Sequence, residues 1–241
     1  AIVQQAVAIY GEEAPLSGPA RDLRGRIVAE GTVHLAATPA RVGTPASVRV
    51  PASLPAELDD QVAESLCRPP PFVAFVDPET VRREARRLGF DDAVPSDHRA
   101  ATLGQEVGAH VMAVLYVEHC SYAAGGAAEP RTAATRSGRT IAFDLRRERT
   151  LHARCAFRLV DTRDGRLLAG GHVHASAARS HAHAHLDPRD AAEMLLPREE
   201  HAWFDVERLR AVDRELEREV ARDLAEGLRT AIFDEVVRRL P

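Results

Sequence analysis

Apolar and polar positions alternate most clearly between Leu151 and Ser176. Leu151, Ala153, Cys155, Phe157 and Leu159 interleave with His152, Arg154, Ala156, Arg158 and Val160, the period of a strand with one face buried. Thr162-Arg163-Asp164-Gly165-Arg166 reads as the turn of a β-hairpin. A two-residue loop would set Phe157 opposite Gly170 and Cys155 opposite His172. A three-residue loop with Gly165 in the left-handed bulge position pairs Thr162 with Arg166. It also sets Leu159, Phe157 and Cys155 opposite Ala169, Gly171 and Val173. Slipping by one residue would exchange the faces, so burial selects the bulged register, with Phe157 inward and Gly165 at positive φ.

Helical spacing appears on either side. Leu54, Leu58, Val62 and Leu66 recur at four-residue steps behind Ser53, a candidate N-cap. Arg68-Pro69-Pro70-Pro71 ends that helix, and Phe72–Val76 is a short apolar run read as a buried strand. Asp77-Pro78 has the cap-then-proline order of a helix start. That helix has Val81, Ala85 and Leu88 inward and closes at Gly89. Pro95 to His98 starts another helix, and Val111 to Val117 is the most strand-like run in the chain. A long final helix covers Phe204 to Leu240, with a stripe from Val212 through Leu216, Val220, Leu224, Leu228, Ile232 and Val236 to Leu240. Four-residue steps drift around a 3.6-residue helix, so the stripe winds and is expected to leave apolar surface for another element. That element would be the apolar segment Ile2 to Tyr10 or a second subunit.

The weakly patterned segments are Ser121–Gly138, expected as a mobile loop, and Ala177–Ala202, also expected as loop. Residues 1–43 read as an N-terminal arm with short strands at Arg26–Val28 and Thr32–Leu35. Ser47–Val50 reads as a further strand, opening a domain over 44–241 with polar insertions at 121–150 and 177–203. The resulting order, β-α-β-α-α-β-β-β-α, predicts an α/β (α+β) fold. It has a single mixed sheet with a late antiparallel meander, flanking helices and a long C-terminal helix.

Composition narrows the function. All 32 basic residues are Arg, and there is no Lys and no Asn, the codon signature of a GC-rich bacterium. Lysine Schiff-base and P-loop chemistry are thereby excluded. A net charge of −4 gives no nucleic-acid footprint. No apolar run is long enough for a transmembrane helix. The chain opens at Ala1-Ile2-Val3, as a trimmed product would, which leaves open a removed secretion signal or a lipid anchor before it. Three cysteines, Cys67, Cys120 and Cys155, argue against a disulfide framework.

Three stretches carry a family resemblance: Phe72 to Asp77, a strand ending in Val-Asp; Leu103, Gly104, Gly108 and Ala109, a helix end delivering a strand; and Leu159, Val160, Asp161 and Gly165, a hairpin. In order and spacing this text resembles the amino-terminal domain of TolB and the related curli-secretion lipoprotein and penicillin-binding-protein-activator families. It covers about residues 46–176 and the last helix. The resemblance implies a non-enzymatic accessory or assembly protein of a bacterial envelope machine, periplasmic or outer-membrane-attached. It would work through protein partners and self-association as a homo-oligomer, without a cofactor. The polar 121–150 and 177–203 segments lack the apolar alternation of membrane-inserting hairpins, which argues against a pore.

The rival chemistry lies in the eleven histidines. His172 and His174 project from one strand face, and His181, His183 and His185 follow. Imidazole suits zinc or nickel, so these residues are the candidate ligands of a metal-binding protein or metalloenzyme. The bland reading is a solvated low-complexity loop. Glu118 and His119, at a strand end, are a weaker catalytic candidate pair, and Asp161 reads as a turn-capping residue. No serine-hydrolase elbow, Walker motif or dinucleotide-binding fingerprint is present. Trp203 and Phe204 are candidate partner-docking anchors, or a staple against the last helix.

Overall fold

The computed structural model describes residues 31–43, 50–70, 72–90 and 93–238. The first part of the expected N-terminal arm, with the segment Ile2 to Tyr10 and the strand at Arg26–Val28, and residues 47–49 of the Ser47–Val50 strand lie outside the described residues. The fold is mixed α/β, built on a seven-stranded sheet. Strands β1 (Val33–Ala37) and β2 (Arg41–Val42) are followed by helix α1 (Ser53–Leu66), β3 (Val73–Phe75), α2 (Pro78–Arg87) and α3 (Asp97–Glu106). Then come β4 (Val111–Gly125), β5 (Glu129–Ala134), β6 (Thr140–Asp161) and β7 (Leu167–His183). Two short helices, α4 (Pro188–Glu193) and α5 (Arg198–His201), and a 3-10 turn over Ala202–Phe204 lead to the long α6 (Val206–Arg238).

β1 lies between β3 and β4, parallel to both, and β2 is also parallel to β4. The short strand expected before residue 44 is thus a member of the same sheet. β4, β6 and β7 form the late antiparallel meander, and β5 pairs with the first part of β6. Two expected loops are strand instead. Residues 121–125 continue β4, 129–134 form β5, and β7 runs on to His183. Those segments are rich in Ala, Gly, Ser, Thr and Arg, and their ladder bonds are made by backbone, which small side chains do not prevent.

The hairpin register is the one that burial selects. Leu159, Phe157 and Cys155 face Ala169, Gly171 and Val173, Phe157 is buried, and Gly165 has φ 74°. The route to that register differs. Asp161 N–H donates to the Arg166 carbonyl, so the loop is 162–165 rather than three residues. The register then shifts between Leu159 and Val160, with Leu168 as the extra residue on β7. A longer loop and a bulge restore the same faces. Asp161 caps the turn as expected, its carboxylate accepting from Arg163 N–H at 2.8 Å.

Both sheet faces carry helices at the β1–β4 end. Leu35, Val111, Ala113, Leu115, Val117, Cys155, Phe157 and Leu159 pack under α1 and α6, whose Leu54, Leu58, Val62, Leu66, Leu224, Leu228 and Ile232 are buried with them. Ala36, Met112, Val114 and Val160 pack under α2 and α3. The family-like helix end is structural. A Cβ at Gly104 would overlap Thr162, whose hydroxyl donates to the Ala109 carbonyl at 2.6 Å, and Gly108 has φ 70°. Asp77 caps α2, accepting from Thr80 N–H at 3.0 Å. Ser53 is the first helical residue of α1 and not its cap; its hydroxyl donates to Glu217 of α6.

The winding stripe on α6 does not leave the expected bare surface. From Leu216 to Val236 its large apolar members are buried against α1, β6 and β7, and Val212 is half-buried. Together these three elements follow the drift, so over the described residues the helix gives no reason of its own for a second subunit. Leu240 lies outside the described residues.

Candidate functional site

Beyond α3 the even-numbered face of the meander is open. On β6, alternation turns Leu151, Ala153 and Cys155 into the core and leaves His152 exposed and Arg154 half-exposed. On β7, Val173, Ala175 and Ala177 point to the core, while His172, His174 and Ser176 are exposed. On β4 a bulge between Val117 and His119 reverses the parity, so that Cys120 is buried and His119 turns outward. Cross-strand pairing aligns His119, Arg154 and His174 in one row, and Ser121, His152 and Ser176 in the next. Tyr116, Ala156 and His172 form the row nearer α3.

Glu118, in the bulge, organises this face. One carboxylate oxygen lies 2.8 Å from Arg154 Nε and 3.0 Å from His172 Nδ1. Arg158 is anchored separately: it pairs with Asp97 at the start of α3 and donates to the Pro95 carbonyl at 2.8 Å. Its guanidinium lies 5.9 Å from the centre of the Tyr116 ring. His119 Nε2 and Ser121 Oγ are 3.0 Å apart. A serine beside a histidine is a nucleophile–base geometry, but Glu118 is engaged by Arg154 and His172 and does not orient that imidazole.

The candidate metal ligands fall into two places. His172 and His174 belong to the open face, with His119 and His152 as neighbours. His181 and His183 lie past a second register shift, their rings stacked with centroids 6.0 Å apart, and His185 meets His183 edge-on at 5.8 Å. His183 is buried and its Nδ1 lies 3.0 Å from the His181 carbonyl oxygen. Burial, with lesser contributions that include the Arg149 cation, lowers its pKa. Among the described residues no group of three or more His, Cys, Asp or Glu side chains is placed to hold a metal ion. Trp203 and Phe204 are half-buried, packing on Phe143 of β6 with ring centroids 6.5 and 5.2 Å away. With Met194, Ala133 and Ala191 they form a third, small core.

A buried polar cluster that sequence reasoning missed lies beneath α6. Glu217 is 6% exposed, and its two carboxyl oxygens accept from the hydroxyls of Tyr122 and Ser53. The Arg149 guanidinium lies 4.4 Å from the Tyr122 ring centre and bonds both oxygens of Asp213, at 2.8 and 3.2 Å. A Glu in the otherwise apolar stripe of α6 was the available signal. The cluster ties α1, β4, β6 and α6 together.

No family model matches the chain, and no curated protein matches it. Solved structures of similar outline do exist, at low identity. A lipoprotein from Neisseria meningitidis is 13% identical, over 76% of this chain and 96% of that one, with a TM-score of 0.38. A hypothetical protein from Chlamydia trachomatis is 12% identical, over 86% and 100%, with a TM-score of 0.42. The LpoB C-terminal domain from Escherichia coli is 13% identical, over 73% and 96%, with a TM-score of 0.32. Bacterial lipoproteins thus recur among the structures it is similar to, and overlaps of this size leave its function to be argued from its own residues.

Proposed function

We propose that this chain is a non-enzymatic accessory domain of the bacterial cell envelope that works by holding another protein on the open face of its β4–β6–β7 meander. The observation that carries the reading is that face: exposed, polar and three strands wide, where the sheet at the β1–β4 end is packed under helices on both sides. Among the described residues β7, the outer strand of this face, pairs with β6 alone, and such an edge is a place for an extended chain to add. The envelope assignment, periplasmic or outer-membrane-attached, rests on the TolB-like text of Phe72–Asp77, Leu103–Ala109 and Leu159–Gly165. A structural metal on this face is disfavoured by Arg154, whose cation occupies the row between His119 and His174.

A photo-crosslinking side chain at Ser176, on the open face, tests this against one at Arg83, on the far surface of α2. Expressed in the native bacterium, the Ser176 probe should capture a protein in the envelope fraction and the Arg83 probe should not. Recovery of the chain in the cytoplasmic fraction, or equal capture from both positions, overturns the proposal.

A further inference from the structure

The core of the meander is unfinished at its outer strand. Cys155 and Ala153 of β6 are buried, whereas their β7 partners Val173 and Ala175 are only half-buried. α6 lies over β6 and β7 together, with Gly227 against Val173, and among the described residues no element continues the sheet beyond β7. β7 has 17 residues, Leu167–His183, and Ala175 is its midpoint. Register shifts against β6 fall near both ends and leave Gly170 to Ser180 as a regular stretch centred on that residue. Little there blunts the edge: the stretch has no proline and no carboxylate, and its one inward charge, Arg179, is paired with Glu219 of α6.

The side chains of this stretch complement themselves. A two-fold axis at Ala175 sets Val173 opposite Ala177, His174 opposite Ser176, His172 opposite Ala178 and Arg179 opposite Gly171. Each large side chain meets a small one, and no charge meets its like. An axis at Val173 would instead put His172 against His174, and one at Ala177 would carry the pairing across the register shift past Ser180.

We infer that the edge of β7 takes the β7 edge of a second copy of this chain, antiparallel about Ala175. An axis perpendicular to the sheet puts the helices of both copies on one side and both open faces on the other. With α6 seated over β6 and β7, the two α6 helices stand two strand spacings apart, about 10 Å, a distance at which helices pack. On the β7 side of α6, Glu219 is paired with Arg179, and Asp223, one turn on, with Arg222, so the approaching helices bring neutralised groups. Paired strands and helix flanks together approach the roughly 20–30 residues a side of a stable interface. The inference rests on the contact-surface reading and deepens it: it names the chain that adds at the edge, and the open face becomes twice as wide.

The test uses the intact chain carrying Cys67→Ser, which removes the exposed thiol and leaves Cys120 and Cys155 buried. In that background Ala175→Cys sets two thiols opposite each other across the axis, within the roughly 4.4–6.8 Å Cα separation that a disulfide spans. Mild oxidation should link them into a dimer. Ala178→Cys, on the same strand but off the axis, stands about 20 Å from its copy and should stay unlinked. Light scattering of the parent at micromolar concentration should give twice the 26.3 kDa of one chain. Ala175→Asp, which sets carboxylate against carboxylate, should return it to one copy while still melting cooperatively; if that variant fails to fold, the cysteine pair decides. A parent of single-copy mass, or equal linking from Ala175→Cys and Ala178→Cys, overturns the inference. Capture of a different protein from Ser176 alongside either result would leave the contact-surface reading standing and remove the self-pairing alone.

Discussion

Replacing Tyr122 with Phe removes one oxygen atom from the buried polar cluster beneath α6. The Tyr122 hydroxyl donates to one carboxyl oxygen of Glu217, Ser53 donates to the other, and Glu217 is 6% exposed. The ring itself remains under the Arg149 guanidinium, so no cavity forms and the change isolates the hydrogen bond. Leaving a buried carboxyl oxygen without its donor costs about 2 kcal/mol, which for a chain of this size lowers the melting temperature by roughly 4–8 °C. Thermal unfolding followed by circular dichroism reads that shift. Adding Glu217→Met should make the Tyr122→Phe change nearly neutral, since the acceptor is then gone as well. The pH dependence adds a second check. Burial, reinforced by the bond to Glu217, raises the Tyr122 pKa in the folded state. The proton is held more tightly folded than unfolded, so this stabilisation is complete below about pH 10 and is lost as pH rises past it. The stability gap between parent and Tyr122→Phe should therefore narrow above about pH 10. A gap smaller than about 0.5 kcal/mol at neutral pH, or one that stays constant into strong alkali, would refute the argument.

Gly227→Ala improves helix propensity by about 1 kcal/mol yet should destabilise, because a Cβ there overlaps Val173 Cγ1 of β7; Val173→Ala should restore the lost stability in denaturant titrations. Burial pushes the Cys120 and Cys155 thiols up to about 12, whereas Cys67 is exposed. A thiol reagent at neutral pH should accordingly label Cys67 rapidly and the other two upon unfolding; rapid labelling of Cys155 in folded protein would contradict the packing.

Large side chains made parts of this fold legible in advance. Phe157, Cys155 and Leu159 determine the hairpin's faces because moving any of them outward would expose apolar area, and the same force marks the stripe of α1 and the inner face of α2. The distal halves of β4 and β7 offered no such force. Ala123, Ala124, Ala177 and Ala178 are strand by backbone pairing with β6, which side-chain periodicity does not report. The candidate site divides the same way. The hairpin register alone puts His152 and Arg154 on the face of His172 and His174. His119 joins them through the bulge at Glu118, which shifts parity on β4 and leaves no trace in the alternation.

β6 spans Thr140–Asp161 and is the partner of β4, β5 and β7 alike, which sets a schedule for the emerging chain. When β4 leaves the ribosome, Val111, Ala113, Leu115 and Val117 are already synthesised, but the strand that bonds their far edge follows tens of residues later, and α6, which buries them, comes last. Until then the nascent chain presents an unpaired apolar edge, the species most prone to aggregate or to be held by a chaperone. A chain halted before β6 is complete lacks the strand on which β4, β5 and β7 all pair. For a polypeptide whose proposed workplace lies across a membrane, that lateness keeps it threadable until its last helix is made.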